Sequence, residues 1–357
     1  MTASKYSRPP LKVALMGLGR AMFTEHVPVF RDHPSLFEVV AACDVVKTRR
    51  DMLLSEFPRC RMFRQFEDML FEKNIDLVVI ATGSSRHVEH ATAALRRGVW
   101  VLLETPMAHG IEEAARLRGA AAKANMRLVA YNRGFFSPDF LLAKQVVAGG
   151  MLGDIHTISV RRDDFVRRDD WQTMRHLGGG AAYYAMPDLI LQALKLLPLP
   201  PVMMWSELKR SVSVGDAEDF VHLRLKTRRQ ITADIEYDGG FLGAENRPSF
   251  TIRGSRGVFA VMPGEKTGVL RAIPADFSFP RRRASVKVQP IADMHERFPV
   301  VEEKVSLAAG TLYGQSVFWR RLYETVRVAS AFPVPLEDAF ECERLAHLMK
   351  KSSQFGN

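Results

Sequence analysis

The chain has 357 residues, 47% of them hydrophobic, which is enough to bury a large core and, at the usual domain length, to form two domains. Cys43, Cys60 and Cys342 are scattered and odd in number, which argues for a reducing, cytoplasmic setting over a disulfide framework or zinc cluster. The formal net charge of +10 is carried by dispersed clusters such as "VKTRR" and "RRGVW" with acids beside many of them, so it reads as solvated surface first, affinity for an anionic small molecule second and nucleic-acid binding last.

The opening "MTASKYSRPPLKVALMG" lacks the basic, apolar and small-residue layout of a signal peptide, and no apolar run approaches the roughly 20 residues that span a bilayer. From "LKVALMG" onward, short apolar runs alternate with amphipathic stretches. "LKVALMG", "FEVVAACD", "IDLVVIATG", "VWVLLE" and "MRLVAYN" read as strands. Between them "RAMFTEHVPVFRDH", "VKTRRDMLLSEF", "RMFRQFEDMLFEKN", "SRHVEHATAALRRG" and "GIEEAARLRGAAAKAN" carry helical spacing. This alternation predicts a doubly wound α/β domain with a parallel sheet over residues 1–131, its ligand outside the carboxyl ends of the strands.

The remainder, residues 132–357, changes character. After a helix in "SPDFLLAKQVVAGG", the stretches "DIHTISVRRDDF", "PVMMWSELKR", "DFVHLRLKT", "QITADIEYDG", "SFTIRG" and "GVFAVMPG" alternate as strands of a mostly antiparallel sheet do. A single helix is expected across "GGGAAYYAMPDLILQALKLLP", and two more at the C-terminus. The second unit is thus α+β.

The first strand leads into "GLGRAM". Gly17 and Gly19 permit a tight turn and close backbone approach to a diphosphate, and the following helix start, Arg20, Ala21 and Met22, offers free N–H groups. Met22 stands where a third glycine or alanine is expected. Asp44 ends the second strand 25 residues after Gly19, near the spacing of a carboxylate that receives the adenosine ribose hydroxyls. It favours NAD, whereas Lys47, Arg49 and Arg50 nearby leave NADP open. Thr82 and Ser84, in the loop after "IDLVVIATG", are further candidates for dinucleotide contacts. His87 and His90 are separated by three residues, not the four of a zincin helix, so no metal site is expected. Arg281, Arg282 and Arg283 read as a solvated turn before a phosphate site.

Together "GLGRAM", Asp44, "IATGSSRHVEHATAALRRGVWVLLETPMA", "YNRGFFSPDFLLAKQVVAGGMLGDIHTI", "GGGAAYY", "FTIRGSRGVF" and "PVPLEDAFECERLAHLMKKS" resemble the Gfo/Idh/MocA oxidoreductases over nearly the whole chain and in the same order. The resemblance implies an N-terminal Rossmann domain, a C-terminal α+β domain with a large open sheet that serves a homodimer or homotetramer, and NAD or NADP in the cleft. It also implies sugars, polyols or their acids as substrates. It places His87, Glu104, Thr105, Pro106 and Asn132 on the cofactor side, with Glu104 near the nicotinamide ribose, and Arg133 beside the substrate.

Two departures stand out. The family's Glu-Lys-Pro is Glu104-Thr105-Pro106 here, and threonine carries neither charge nor a usable base. Aligned on the triple glycine, the family's aspartate and histidine become Tyr184 and Asp188. These two, spaced i, i+4 on one helix face, and His176 from the loop before the glycines are the candidates for moving the proton. Asp164, Trp171, Arg175 and Tyr183 are candidate substrate contacts. The leading expectation is an NAD(P)-dependent oxidoreductase. The alternatives are a dinucleotide-binding sensor without turnover, and a lyase or hydrolase that oxidises its substrate transiently.

Overall fold

The computed structural model describes residues 8–243, 246–280, 298–353 and 355. The "PRRRAS" turn with Arg281, Arg282 and Arg283 lies outside them.

Strand β1 (Leu11–Met16) runs into a π-helical turn at Met22–His26 and then α1 (Val27–Asp32). There follow β2 (Phe37–Cys43), α2 (Lys47–Glu56), β3 (Arg61–Phe63), α3 (Phe66–Leu70), β4 (Leu77–Ile80), α4 (His87–Arg96), β5 (Trp100–Leu103), α5 (Ile111–Lys123) and β6 (Leu128–Ala130). The strands form a parallel six-stranded sheet in the order β3-β2-β1-β4-β5-β6. Leu77, Val78, Val79 and Ile80 are all fully buried, as a strand covered on both faces must be. Strand order reverses between β1 and β4, so the loops after these two strands splay apart and open a crevice.

The second part contains α6 (Pro138–Gly149), β7 (Ile155–Asp163), α7 (Ala181–Tyr184), α8 (Met186–Leu196), β8 (Pro201–Lys209), β9 (Phe220–Thr227) and β10 (Thr232–Asp238). It continues with β11 (Phe250–Gly254), β12 (Gly257–Val261), β13 (Thr267–Ala272), β14 (Val301–Ser306), α9 (Gln315–Val328) and α10 (Leu336–Ser352). Its eight strands are ordered β14-β13-β12-β11-β7-β10-β9-β8, antiparallel except where β7 meets β10. Helices α6 and α8 cover one face.

Two expectations need correction. The helix after the triple glycine is broken at Ala185 (φ −112°), because Pro187 at the start of α8 has no N–H to continue the ladder of α7. The strands β13 and β14 were not expected. In β14 nearly every residue is exposed, so the alternation that marks a strand is missing.

Helix α9 folds back onto the first sheet. Trp319 meets Phe30 and Phe37 edge-on at 4.9 and 5.5 Å, and Arg327 pairs with Asp76 at 2.6 Å. These contacts pack α9 against the edge of the first domain. Among the described residues, no helix is long and apolar enough to cross a membrane.

Candidate active site

The crevice at the switch point has a volume of about 610 Å³ and is lined by Gly17, Gly19, Arg20, Ala21, Asp44, Thr82, Ser84, His87, Glu104 and Thr105. Its two glycines are required for different reasons. Gly17 has φ +83°, and a Cβ there would stand 2.7 Å from the Thr82 side chain and 2.8 Å from its backbone nitrogen. Packing alone demands glycine. A Cβ on Gly19 would meet no protein atom within 4 Å, so that side is open for a ligand to approach the backbone. The residues present therefore suit a dinucleotide diphosphate.

Asp44 is 6% exposed and receives the N–H of Leu18 at 2.8 Å and of Val46 at 2.7 Å. It ties the glycine turn to the start of α2 and presents its remaining lone pairs at the crevice edge. Arg49 approaches it at 3.6 Å, and Arg64 lines the same edge. Met22 is fully buried in the core, so the position where a third glycine or alanine would let the helix pack close to the strand is filled by a side chain, at the start of the π-helical turn.

The far wall is made by the loop after β5. Glu104 accepts a 2.7 Å hydrogen bond from the Nε2 of His26, a fully buried residue that sequence reasoning missed. Thr105 is half-buried on the crevice wall, and Pro106, joined to it by a cis peptide, is buried. His87 is clamped between two loops, its Nδ1 2.7 Å from the Pro106 carbonyl and its Nε2 3.0 Å from that of Thr82. Burial pushes its pKa down. The next residue, Met107, donates its N–H at 2.7 Å to Glu343 of α10, whose buried carboxyl is pushed up to about 8.

From the other side of the cleft, the segment between β7 and α7 brings Arg168, Asp170, Trp171 and Gln172 to the crevice. Asp170 stands 3.7 Å from Arg20 of the glycine turn. Arg168, 15% exposed, pairs with Asp170 at 2.7 Å and holds its guanidinium 5.3 Å from the Tyr184 ring centre.

Tyr184, on α7, and Asp188, on α8, are both half-buried, whereas residues 185–187 between them are buried. Asp188 accepts from the Asn132 side chain at 3.2 Å and from the Gly134 N–H at 3.4 Å, and Gln192 one turn on bonds the Gly134 carbonyl at 2.7 Å. Desolvation raises the Asp188 pKa above the ordinary carboxylate value, opposed by Arg162, Asn132 and Arg133. Asn132 is 1% exposed, and its Oδ1 has no partner among the described residues. Burial pushes the Tyr184 phenol up as well, and its ring meets Tyr237 of β10 edge-on at 5.7 Å. Arg162 lies 5.2 Å from the centre of the Tyr237 ring.

Other candidates are placed elsewhere. His176 is exposed on a short turn. Arg175 is anchored to Asp216, donating to its carboxylate at 2.9 Å and its carbonyl at 2.8 Å. Tyr183 points away from Tyr184, packing its ring against His109 at 4.8 Å and beneath the Lys350 ammonium at 4.5 Å. Arg133 pairs with Glu25 at 2.5 Å, and Asp164 lies 3.9 Å from Arg162. The triple glycine itself serves packing. A Cβ on Gly178, Gly179 or Gly180 would run into the His109 ring, the Gln172 backbone or the Glu218 carboxylate, respectively.

A family model described as an oxidoreductase family with an NAD-binding Rossmann fold matches residues 11–132, and the model of the GFO/IDH/MocA C-terminal domain matches residues 140–260. The chain is similar to an uncharacterized oxidoreductase of Schizosaccharomyces pombe, 26% identical over 97% of this chain and 98% of that one. It is similar to the scyllo-inositol 2-dehydrogenase (NADP(+)) of Bacillus subtilis, 23% identical over 96% and 94%. Among solved structures, an NAD-binding protein from Listeria innocua shares the fold with a TM-score of 0.78 at 19% identity, covering 96% of this chain and 94% of that chain. An oxidoreductase from Bacillus cereus does so with a TM-score of 0.77 at 17% identity, covering 97% and 98%. With both halves matched in order, the chain belongs to the Gfo/Idh/MocA family of NAD(P)-binding oxidoreductases.

Proposed function

We propose that this oxidoreductase moves a hydride between the nicotinamide of NAD and a carbinol carbon of a sugar, polyol or sugar acid, with Asp188 exchanging the accompanying proton. Gly17, Gly19, Arg20 and Ala21 receive the diphosphate through backbone N–H groups. Asp44 takes the ribose hydroxyls of the adenosine end, and its charge disfavours a 2′-phosphate, although Arg49 and Arg64 temper that preference. Thr82, Ser84, His87, Glu104, Thr105, Pro106 and Asn132 shape the nicotinamide end. Bound there, the cofactor supplies the hydride acceptor or donor.

The observation that carries this reading is the Asp188 carboxyl, held by Asn132 and Gly134 and raised by burial above the ordinary carboxylate value. In oxidation it would take the hydroxyl proton, and in reduction return it. Tyr184, held between Arg168 and Tyr237, orients the substrate; its raised phenol makes it a donor, not a base. Arg162 and Arg168 beside it favour a substrate with a carboxylate. The test is absorbance of reduced nicotinamide with NAD and a panel of polyols, sugars and sugar acids. NADH formation supports the proposal. Absence of turnover with all of them, despite tight dinucleotide binding, supports a second reading as a sensor, which the uncharged Thr105 at the lysine position favours.

The second sheet exposes Val202, Met203 and Trp205 on edge strand β8, with Trp205 52% exposed. An apolar edge of this kind favours a homodimer or homotetramer formed through this sheet, which light scattering would test.

A further inference from the structure

His26 sits on the turn that grows out of the glycine loop and reaches Glu104 on the crevice wall. The Phe23 N–H bonds the Gly19 carbonyl at 3.2 Å, so the turn grows directly out of the glycine loop. Val27 then closes a wide turn on the Met22 carbonyl, five residues back. Pro28 lacks the N–H that an ordinary α-helical ladder would use at this point. The wider turn puts Met22 and His26 inward, with exposed Thr24 between them. His26 is walled by Tyr131 at 4.7 Å and Trp319 at 5.6 Å, ring centre to ring centre. Its Nε2 meets the Glu104 carboxylate, and its Nδ1 is buried with no partner among the described residues. One polar contact therefore justifies a fully buried imidazole, and that contact is Glu104.

We propose that His26 is a positioning residue: it fixes the Glu104 carboxylate for the nicotinamide end of the dinucleotide and links that carboxylate to the turn that receives the diphosphate. The inference rests on the dinucleotide reading above. Glu104 is 16% exposed on the crevice wall, and without a donor behind it the carboxylate would be free to rotate. The same turn is braced from two further directions. Glu25 pairs with Arg133, and its carbonyl receives the Gln315 side chain, which also donates to the Tyr131 hydroxyl at 2.9 Å. Movement of the glycine loop is thus passed to Glu104 through a short, rigid path.

The experiment is calorimetric titration of wild type, His26→Phe, His26→Gln and Glu104→Gln with NADH and, separately, with ADP-ribose, which lacks the nicotinamide. Phenylalanine fills the space without a donor, whereas the glutamine amide reaches the Nε2 position and can donate. His26→Phe is expected to weaken NADH about tenfold, the loss of roughly one charge-assisted hydrogen bond, while leaving ADP-ribose within about twofold. His26→Gln should restore most of the NADH affinity, and Glu104→Gln combined with His26→Phe should cost little more than either alone. Equal losses for both ligands, unchanged NADH affinity in His26→Phe, or no rescue by glutamine would overturn the inference. Binding of neither ligand by wild type would instead overturn the dinucleotide reading, and this inference with it.

Discussion

At the proposed diphosphate end of the cleft the chain offers backbone amides and the missing side chains of Gly17 and Gly19. The proposed substrate end draws on side chains from separate stretches: Asn132 after β6, Arg162 on β7, Arg168 in the following loop, Tyr184 and Asp188 on two helices, and Tyr237 on β10. A backbone site tolerates little variation, because its ligand contacts come from the path of the chain. A side-chain site can be rebuilt residue by residue on the same scaffold.

The sharpest way to break the comparison is at Asp188. Asp188→Asn should lower the oxidation rate about 10²–10⁴-fold, with NADH affinity changed little. In wild type the rate should rise with pH through an apparent pKa above the 3.8 of an ordinary aspartate, because the base works only after losing its proton. The variant should lose that rise. A pH profile and kcat that survive the substitution would move the proton to another group.

The two glycines give the next contrast. Gly17→Ala should cost about 1–3 kcal/mol of stability with no ligand present, since the positive φ and the Thr82 contact are built into the fold. Gly19→Val should leave the melting temperature nearly unchanged and reduce dinucleotide affinity by more than about tenfold, because its side chain would occupy the ligand's approach. Melting curves with and without NADH separate the two outcomes.

The far wall, on the loop after β5, also depends on a distant side chain, and pH exposes it. The Glu343 carboxyl holds its proton in the folded protein up to about pH 8, against an ordinary 4.5. Between these values the folded state binds the extra proton, so stability should fall as pH rises, by up to about 1.4 kcal/mol per unit, and level off above about 8. Denaturant midpoints of Glu343→Gln should show a much flatter slope across that window. The smallest effect is expected at Asp44: Asp44→Ala should weaken NAD about tenfold or less and narrow the gap between NAD and NADP, read from the two dissociation constants.

The same contrast governs how much could be read from the chain. The alternating apolar runs, the glycines after β1 and the acid at the end of β2 are local patterns, and they were enough to place the crevice. What stayed hidden lies in contacts between distant residues. His26 and Glu104 are 78 positions apart, and Met107 and Glu343 are 236 apart. The Pro28 two residues after His26 was the one local hint that the helix there is not regular. The triple glycine served in the sequence only to align the chain; its cause is close packing against His109, Gln172 and Glu218, a constraint that no spacing rule reveals. Tyr184 and Asp188 were expected on one face of a single helix; the break at Ala185 instead divides them between two, with Tyr184 against Tyr237 and Asp188 against Asn132 and Gly134.

The most direct test of the account is a crystal structure of the protein with NAD and a hydroxylated ligand. It should show the diphosphate on the amides of residues 18–20 and the nicotinamide beside Glu104 and Thr105, with one carbinol group between the nicotinamide ring and Asp188. A dinucleotide whose nicotinamide turns away from Asp188, or a crevice that holds no dinucleotide at all, would contradict it.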